Sequence, residues 1–275
     1  MRIDLAENAD WKREDRLQKI RQTTEPICIE LTWSEIGDDL LQELNGKSNL
    51  QELLLFGSGI TDEKLKQLGK LPNLRTLQLS GCHVTLEGIL QLSSSRNLKR
   101  LLVSAVQPRL DDQAIARLIE TWPHLETLDV GSSDLTDVGL SQIGQLKQLQ
   151  KLNISHTKVT GSALSSLTDL SHLKTLHAND THLSDSAMIH IGKMTSLEKL
   201  NLNHTDVSDD GFREVQKLRN LKRVYIVDTR VTDRGLKYLK PLKTIEYIGA
   251  GDNVSPQALQ ELKEALPLFA RNRNG

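Results

Sequence analysis

A 24-residue phrase recurs nine times along this chain and constrains its fold before any single residue does. Copies begin at Leu50, Leu74, Leu98, Leu125, Leu149, Leu173, Leu197, Leu221 and Ile245, and a degenerate copy begins at Pro26. The stretches that start at Leu149 and Leu197 both read L-x-x-L-x-L-x-x-T-x-V-T/S-x-x-G/A-L/F-x-x-L/V-x-x-L-x-x. Self-similarity at this period predicts stacked supersecondary units, each burying its apolar face against its neighbours. One elongated body is therefore expected, in place of the two globular domains that 275 residues would otherwise suggest.

Within a copy, with the first Leu as position one, positions four and six alternate with polar residues, as in Leu152 and Ile154 around Asn153. That is the period of a strand with one buried face. No hairpin turn follows, so successive strands are expected to be parallel and joined by crossovers. Position nine holds Ser58, Cys82, Ser133, Thr157, Thr181, Thr205, Thr229 and Asn253, small polar groups able to satisfy backbone groups where the chain turns. Position twelve holds Thr61, Thr85, Thr136, Thr160, Ser184, Ser208 and Thr232, which read as helix N-caps. Asp often follows, complementing the positive helix end, and the last copy has Ser255-Pro256 instead. A short helix then buries positions sixteen and nineteen, such as Leu140 and Ile143, and position fifteen is often Gly or Ala, leaving room for close packing.

These residues, notably LDVGSSDLTDVGL at 128–140 and VYIVDTRVTDRGL at 224–236, resemble the leucine-rich repeat family. The variety is the short VTDxGL kind of many bacterial proteins, similar to the cysteine-type repeats of F-box receptors. The resemblance implies an α/β fold, a right-handed solenoid with a parallel sheet on its concave face and short helices on its convex face. It also implies a non-catalytic scaffold that binds a protein on the concave side.

The expected organisation is an N-terminal helical cap over 1–25, a solenoid of about ten repeats over 26–266, and a C-terminal tail over 267–275. Residues 9–22, with Trp11, Leu17 and Ile20, can form the amphipathic cap helix that an open solenoid end requires. At the other end Leu259, Leu262 and Leu266 continue the last helix, with Leu268 and Phe269 closing it before the polar RNRNG. The copy at Leu98 runs 27 residues, with added residues placed around Gln107–Arg109 and near Glu120, where a surface bulge is the simplest outcome.

Composition narrows the partner. Thirty-five Lys and Arg against 36 Asp and Glu argue against a general nucleic-acid binder. No run approaches the ~18 apolar residues of a membrane span. The opening residues lack the apolar core of a secretory signal, and two cysteines too far apart in repeat register to pair suit a reducing compartment, so a cytoplasmic monomer is expected. No cofactor motif is present: Gly57-Ser58-Gly59 lacks the Lys and Ser/Thr of a phosphate loop. Asn153, Asn179, Asn203 and Asn253 fit glycosylation acceptors only because the repeat generates them.

Outward strand positions, read copy by copy, nominate a surface for an unidentified protein or peptide. The N-terminal third offers Trp33, Leu54, Phe56 and Leu102, open to a partner or to cover by the cap. The middle offers Asp129, Lys151, Asn153, His156, His177, Asn179, Asp180, Lys199, Asn201 and His204, and the C-terminal third Arg223, Tyr225 and Tyr247. Tyr and Arg are frequent hot-spot residues, so the interface is expected across the last five copies. Position eight alone reads His156, Asp180, His204, Asp228, a column that can hold a divalent metal, form a pH-sensitive ladder or stay a solvated rim. No nucleophile, base and orienting group converge, so no catalytic residue is assigned. Two further readings stay open: a substrate-receptor subunit of a larger complex, and a small-ligand or metal site on the His/Asp/Asn patch.

Overall fold

A computed structural model describes residues 2–4, 13–33 and 35–271. Trp11, assigned above to the cap helix, and residues 272–275 of the tail lie outside the described residues. The chain divides into two compact units, Met1–Ser133 and Asp134–Gly275.

In the first unit the strands are β1 (Arg2–Asp4), β2 (Ile27–Glu30), β3 (Leu50–Leu54), β4 (Thr76–Gln78), β5 (Arg100–Leu102) and β6 (Thr127–Asp129). Each pairs in parallel with the next in chain order. In the second unit β7 (Lys151–Asn153), β8 (Thr175–His177), β9 (Lys199–Asn201), β10 (Arg223–Ile226) and β11 (Tyr247–Ala250) do the same. The register is one copy per strand, so Lys151, Thr175, Lys199, Arg223 and Tyr247 form a row. Parallel pairing between consecutive modules is what the absence of hairpin turns predicts. β1 is an addition: the first 25 residues hold a strand as well as helix α1 (Arg13–Gln22), with Leu17 and Ile20 buried.

Short helices return the chain between strands: α2 (Asp38–Leu44), α3 (Asp62–Gln67), α4 (Leu86–Leu90) and α5 (Asp112–Thr121), then α6 (Asp137–Ile143), α7 (Asp185–Ile191), α8 (Asp209–Phe212) and α9 (Asp233–Leu236), and α10 (Pro256–Ala265) follows the last strand. The copy at Leu149 makes only a 3-10 turn, Leu164–Leu167. Its position thirteen is Gly161, whose φ of 97° lies outside the helical range. Residues 267–271, read as tail, instead form a last helix, α11 (Pro267–Arg271), because Pro267 starts a helix readily and Leu266 before it is buried.

The core is a series of aliphatic layers. The opening residue of all nine full copies is buried, as are Leu152, Ile154, Leu140, Ile143, Leu236 and Leu239. At position nine Thr157, Thr181, Thr205 and Thr229 donate to the carbonyl three residues back, at 2.7–2.9 Å. In the 27-residue copy Gln107, Pro108 and Arg109 are exposed, and Asp111 replaces the usual hydroxyl as cap, accepting from the Ala114 amide at 2.8 Å.

Position twelve caps as expected at Thr61, Thr85, Thr136, Ser208 and Thr232, and Ser255 caps from position eleven of the last copy, whereas Ser184 makes no cap bond from its side chain and Thr160 precedes no α-helix. The aspartates at position thirteen do more than sit at a helix end: each reaches forward to the next copy. Asp62 accepts from the Thr85 amide and hydroxyl, Asp137 from those of Thr160, Asp185 from Ser208, Asp209 from Thr232 and Asp233 from Ser255, at 2.6–2.9 Å. The glycine of position fifteen makes room for that carboxylate. A Cβ on Gly88, Gly211 or Gly235 would fall inside van der Waals contact of Asp62, Asp185 or Asp209.

Candidate functional site

The strand ends owe their shape to position eight. Trp33, Ala105, Ser132, His156, Asp180, His204 and Asp228 all have φ between 51° and 57°, and Gly57 and Gly81 take the same left-handed conformation. This conformation swings the chain off the strand and projects the position-eight side chain at its rim. Asp, Asn and His tolerate it best among residues with a side chain, which is a backbone reason for the His/Asp column.

Twelve of the nominated partner residues lie in the second unit, and Asp129 lies on β6 in the first. Position five braces the strand ends. Asn153 and Asn201 accept from the backbone amide two residues on at 3.0 Å, and Asp129 does so at 3.1 Å. These oxygens close Asx turns and hold position seven in place. Asn179 links three copies: its side-chain oxygen accepts from Ser155 at 2.6 Å and from Asn201 at 3.1 Å, while its amide donates to Asp180 at 2.8 Å. Asn203 accepts from the Val227 amide at 2.8 Å. The polar centre of the face is therefore knitted together, with its side chains fixed before any partner arrives.

His177 lies among these groups, and burial together with the nearby Lys199 charge pushes its pKa down to about 4. The ring is neutral at pH 7. Lys199 lies 5.4 Å from the centre of the Tyr225 ring, and Tyr225 and Tyr247 pack with centroids 5.2 Å apart. Gly249 lies beneath both rings, close enough that a Cβ would sit 3.0 Å from Tyr225. Tyr247 is about half exposed and Arg223 is exposed.

In the position-eight column His156 Nε2 is 3.5 Å from Asp180, and His204 Nδ1 is 3.2 Å from Asp228. The column thus resolves into two His–Asp pairs. Among the described residues no group of three or more His, Cys, Asp or Glu side chains stands close enough to hold a metal ion. His172 and His182 are exposed away from the strand face, and His190 keeps a buried Nδ1 without a hydrogen-bond partner.

The first unit presents a separate aromatic feature. Trp33 is 71% exposed and meets Phe56 edge to face at 5.0 Å, so the described cap residues leave it open. Cys28 and Cys82 are free thiols. Burial raises both pKa values, Cys28 to about 11, so both are protonated at neutral pH. Among the described residues no helix is long and apolar enough to cross a membrane.

Comparison with known proteins follows the repeat. A Leucine rich repeat family model matches residues 123–183, and a second Leucine Rich repeat model matches 70–93 and 193–213. No curated protein matches in sequence. Among solved structures, an internalin (inlF) from Listeria monocytogenes aligns over 86% of this chain and 76% of its own, at 17% identity and a TM-score of 0.55. Internalin C2 from the same organism aligns over 76% of this chain and 90% of its own, at 22% identity and 0.57. A plant peptide hormone receptor, RGFR1 in complex with RGF2, aligns over 88% of this chain but 45% of its own, at 16% identity and 0.51. At these identities the likeness is one of fold.

Proposed function

We propose that this chain, which belongs to the leucine-rich repeat family, is a non-catalytic scaffold that recognises a protein or peptide with the exposed strand face of its second unit. The observation that carries this reading is the cluster of Arg223, Tyr225 and Tyr247 on β10 and β11, beside a preorganised polar field. Tyrosine rings, with two side-chain torsions, lose little entropy on binding, and Tyr and Arg dominate interface energetics. The likeness to a plant receptor solved with RGF2 supports a peptide-sized occupant by analogy of fold.

The protein acts as a monomer in a reducing compartment, the cytoplasm, where its two protonated thiols persist. The test is a double substitution, Arg223→Ala with Tyr225→Ala, in the full chain. Loss of at least tenfold in partner affinity is expected for two hot-spot truncations. Undiminished binding of a partner that otherwise saturates the protein would move the interface elsewhere.

A further inference from the structure

We propose that the occupant of this face is an acidic segment, its carboxylates set along Lys151, Lys199 and Arg223 and an apolar or aromatic residue beside them on Tyr225 and Tyr247. The inference rests on the binding reading above and adds the chemistry of the partner. The three cations share position three, so strand register places them in one row: Lys151, Thr175, Lys199, Arg223, Tyr247. At ~4.8 Å per strand, Lys199 and Arg223 are one step apart and Lys151 is two steps beyond, roughly 10 Å. A single carboxylate can bridge Lys199 and Arg223. A second, about three residues away along an extended chain, reaches Lys151.

Like charges on adjacent strands destabilise a sheet, so the row is poised for counter-charge. The charges that act on Lys199 are Arg223 and Lys151, and both repel it. Of the two nearby acids, one is engaged elsewhere and the other meets Arg223 at a single nitrogen. Glu198 is held by Lys174 at 3.1 Å and Lys222 at 2.7 Å. Glu246 stands a long 3.9 Å from Arg223 Nε, which leaves the rest of the guanidinium fork available.

Within the second unit the neighbouring row does not oppose an acid: Asn153, neutral His177, Asn201 and Tyr225 carry no negative charge. Asp180 and Asp228 lie at position eight, past the ends of β8 and β10, each beside a histidine. The face is therefore positive at one margin only, which sets where the segment lies. Tyr247 ends the row and packs on Tyr225, so the apolar residue of the segment falls on the β11 side of its carboxylates.

The test selects phage-displayed random peptides on the immobilised full chain and measures each by fluorescence anisotropy. Binding is compared with two variants, Lys199→Glu/Arg223→Glu and Tyr225→Ala/Tyr247→Ala, whose thermal melts are first matched to the parent. Enrichment of paired Asp or Glu next to an aromatic or Leu, with at least a tenfold loss on charge reversal and weakening by salt, is the expected result. Neutral or basic peptides that need the tyrosines but ignore the charge reversal would overturn the acidic inference and leave the scaffold reading standing. Peptides indifferent to both variants, or none retained, would overturn both.

Discussion

Ala105 occupies a conformation that costs an L-residue about 1–2 kcal/mol and glycine little. Replacing it with Gly is expected to raise stability by about 0.5 kcal/mol, and replacing it with Val to lower it by 1 kcal/mol or more. Urea midpoints at unchanged slope would check both. His177 gives a pH signature. Its folded pKa of about 4 lies below the ordinary 6.5, so the unfolded chain takes up a proton first as pH falls. The contribution to stability is whole above 6.5, shrinks through that window and is exhausted near 4, so His177→Gln should flatten the stability profile between those values in urea titrations. At this scale sequence reading went only part of the way. The buried Leu positions and the Thr at position nine follow from spacing. The left-handed position eight does not, because Trp33 and Ala105 are not residues that advertise it. The Asx turns of Asn153 and Asn201 escaped for another reason: an outward Asn looks the same whether it greets a partner or braces its own backbone.

Between elements, the aspartate of one copy and the hydroxyl of the next act as a fastener. Asp209 is 6% exposed and also receives Arg234 Nε at 3.1 Å. Asp209→Ala strands the Thr232 amide and hydroxyl and should cost about 1–3 kcal/mol. Gly235→Ala should also destabilise, since its Cβ would strike the same carboxylate and Val231; calorimetric melting temperatures would register both. Burial opposes ionisation of Asp209, but the bonds from Thr232 and Arg234 outweigh it, and its pKa is lowered. For Asp233 the Ser255 bonds dominate and lower it too. A depressed carboxylate stabilises above its unfolded pKa, roughly 3.9, and loses that contribution as pH falls through the folded value. Acid unfolding below about pH 4 should therefore be blunted in an Asp209→Asn/Asp233→Asn variant measured by circular dichroism. The N-caps were legible because their partners are two or three residues away. The fasteners join residues 22 or 23 apart, and only stacking shows that position fifteen is Gly to admit a neighbour's carboxylate.

At the level of the whole molecule, stability in stacked repeats is a sum over neighbours, so strands with one neighbour are the weakest. Amides of β1 and β11 should exchange with deuterium faster than those of β3–β5 and β8–β9; uniform protection would contradict nearest-neighbour stacking. The repeat and its parallel strands were readable from 24-residue spacing alone. β1 was not, because three residues, Arg2–Asp4, carry no periodicity. The fasteners also point one way along the chain. The copies at Leu197 and Leu221 each bring a carboxylate for the successor and a hydroxyl for the predecessor. In-frame duplication of one such stretch would deliver a turn already joined on both sides, so a protein of this kind can lengthen in whole steps without inventing a new joint.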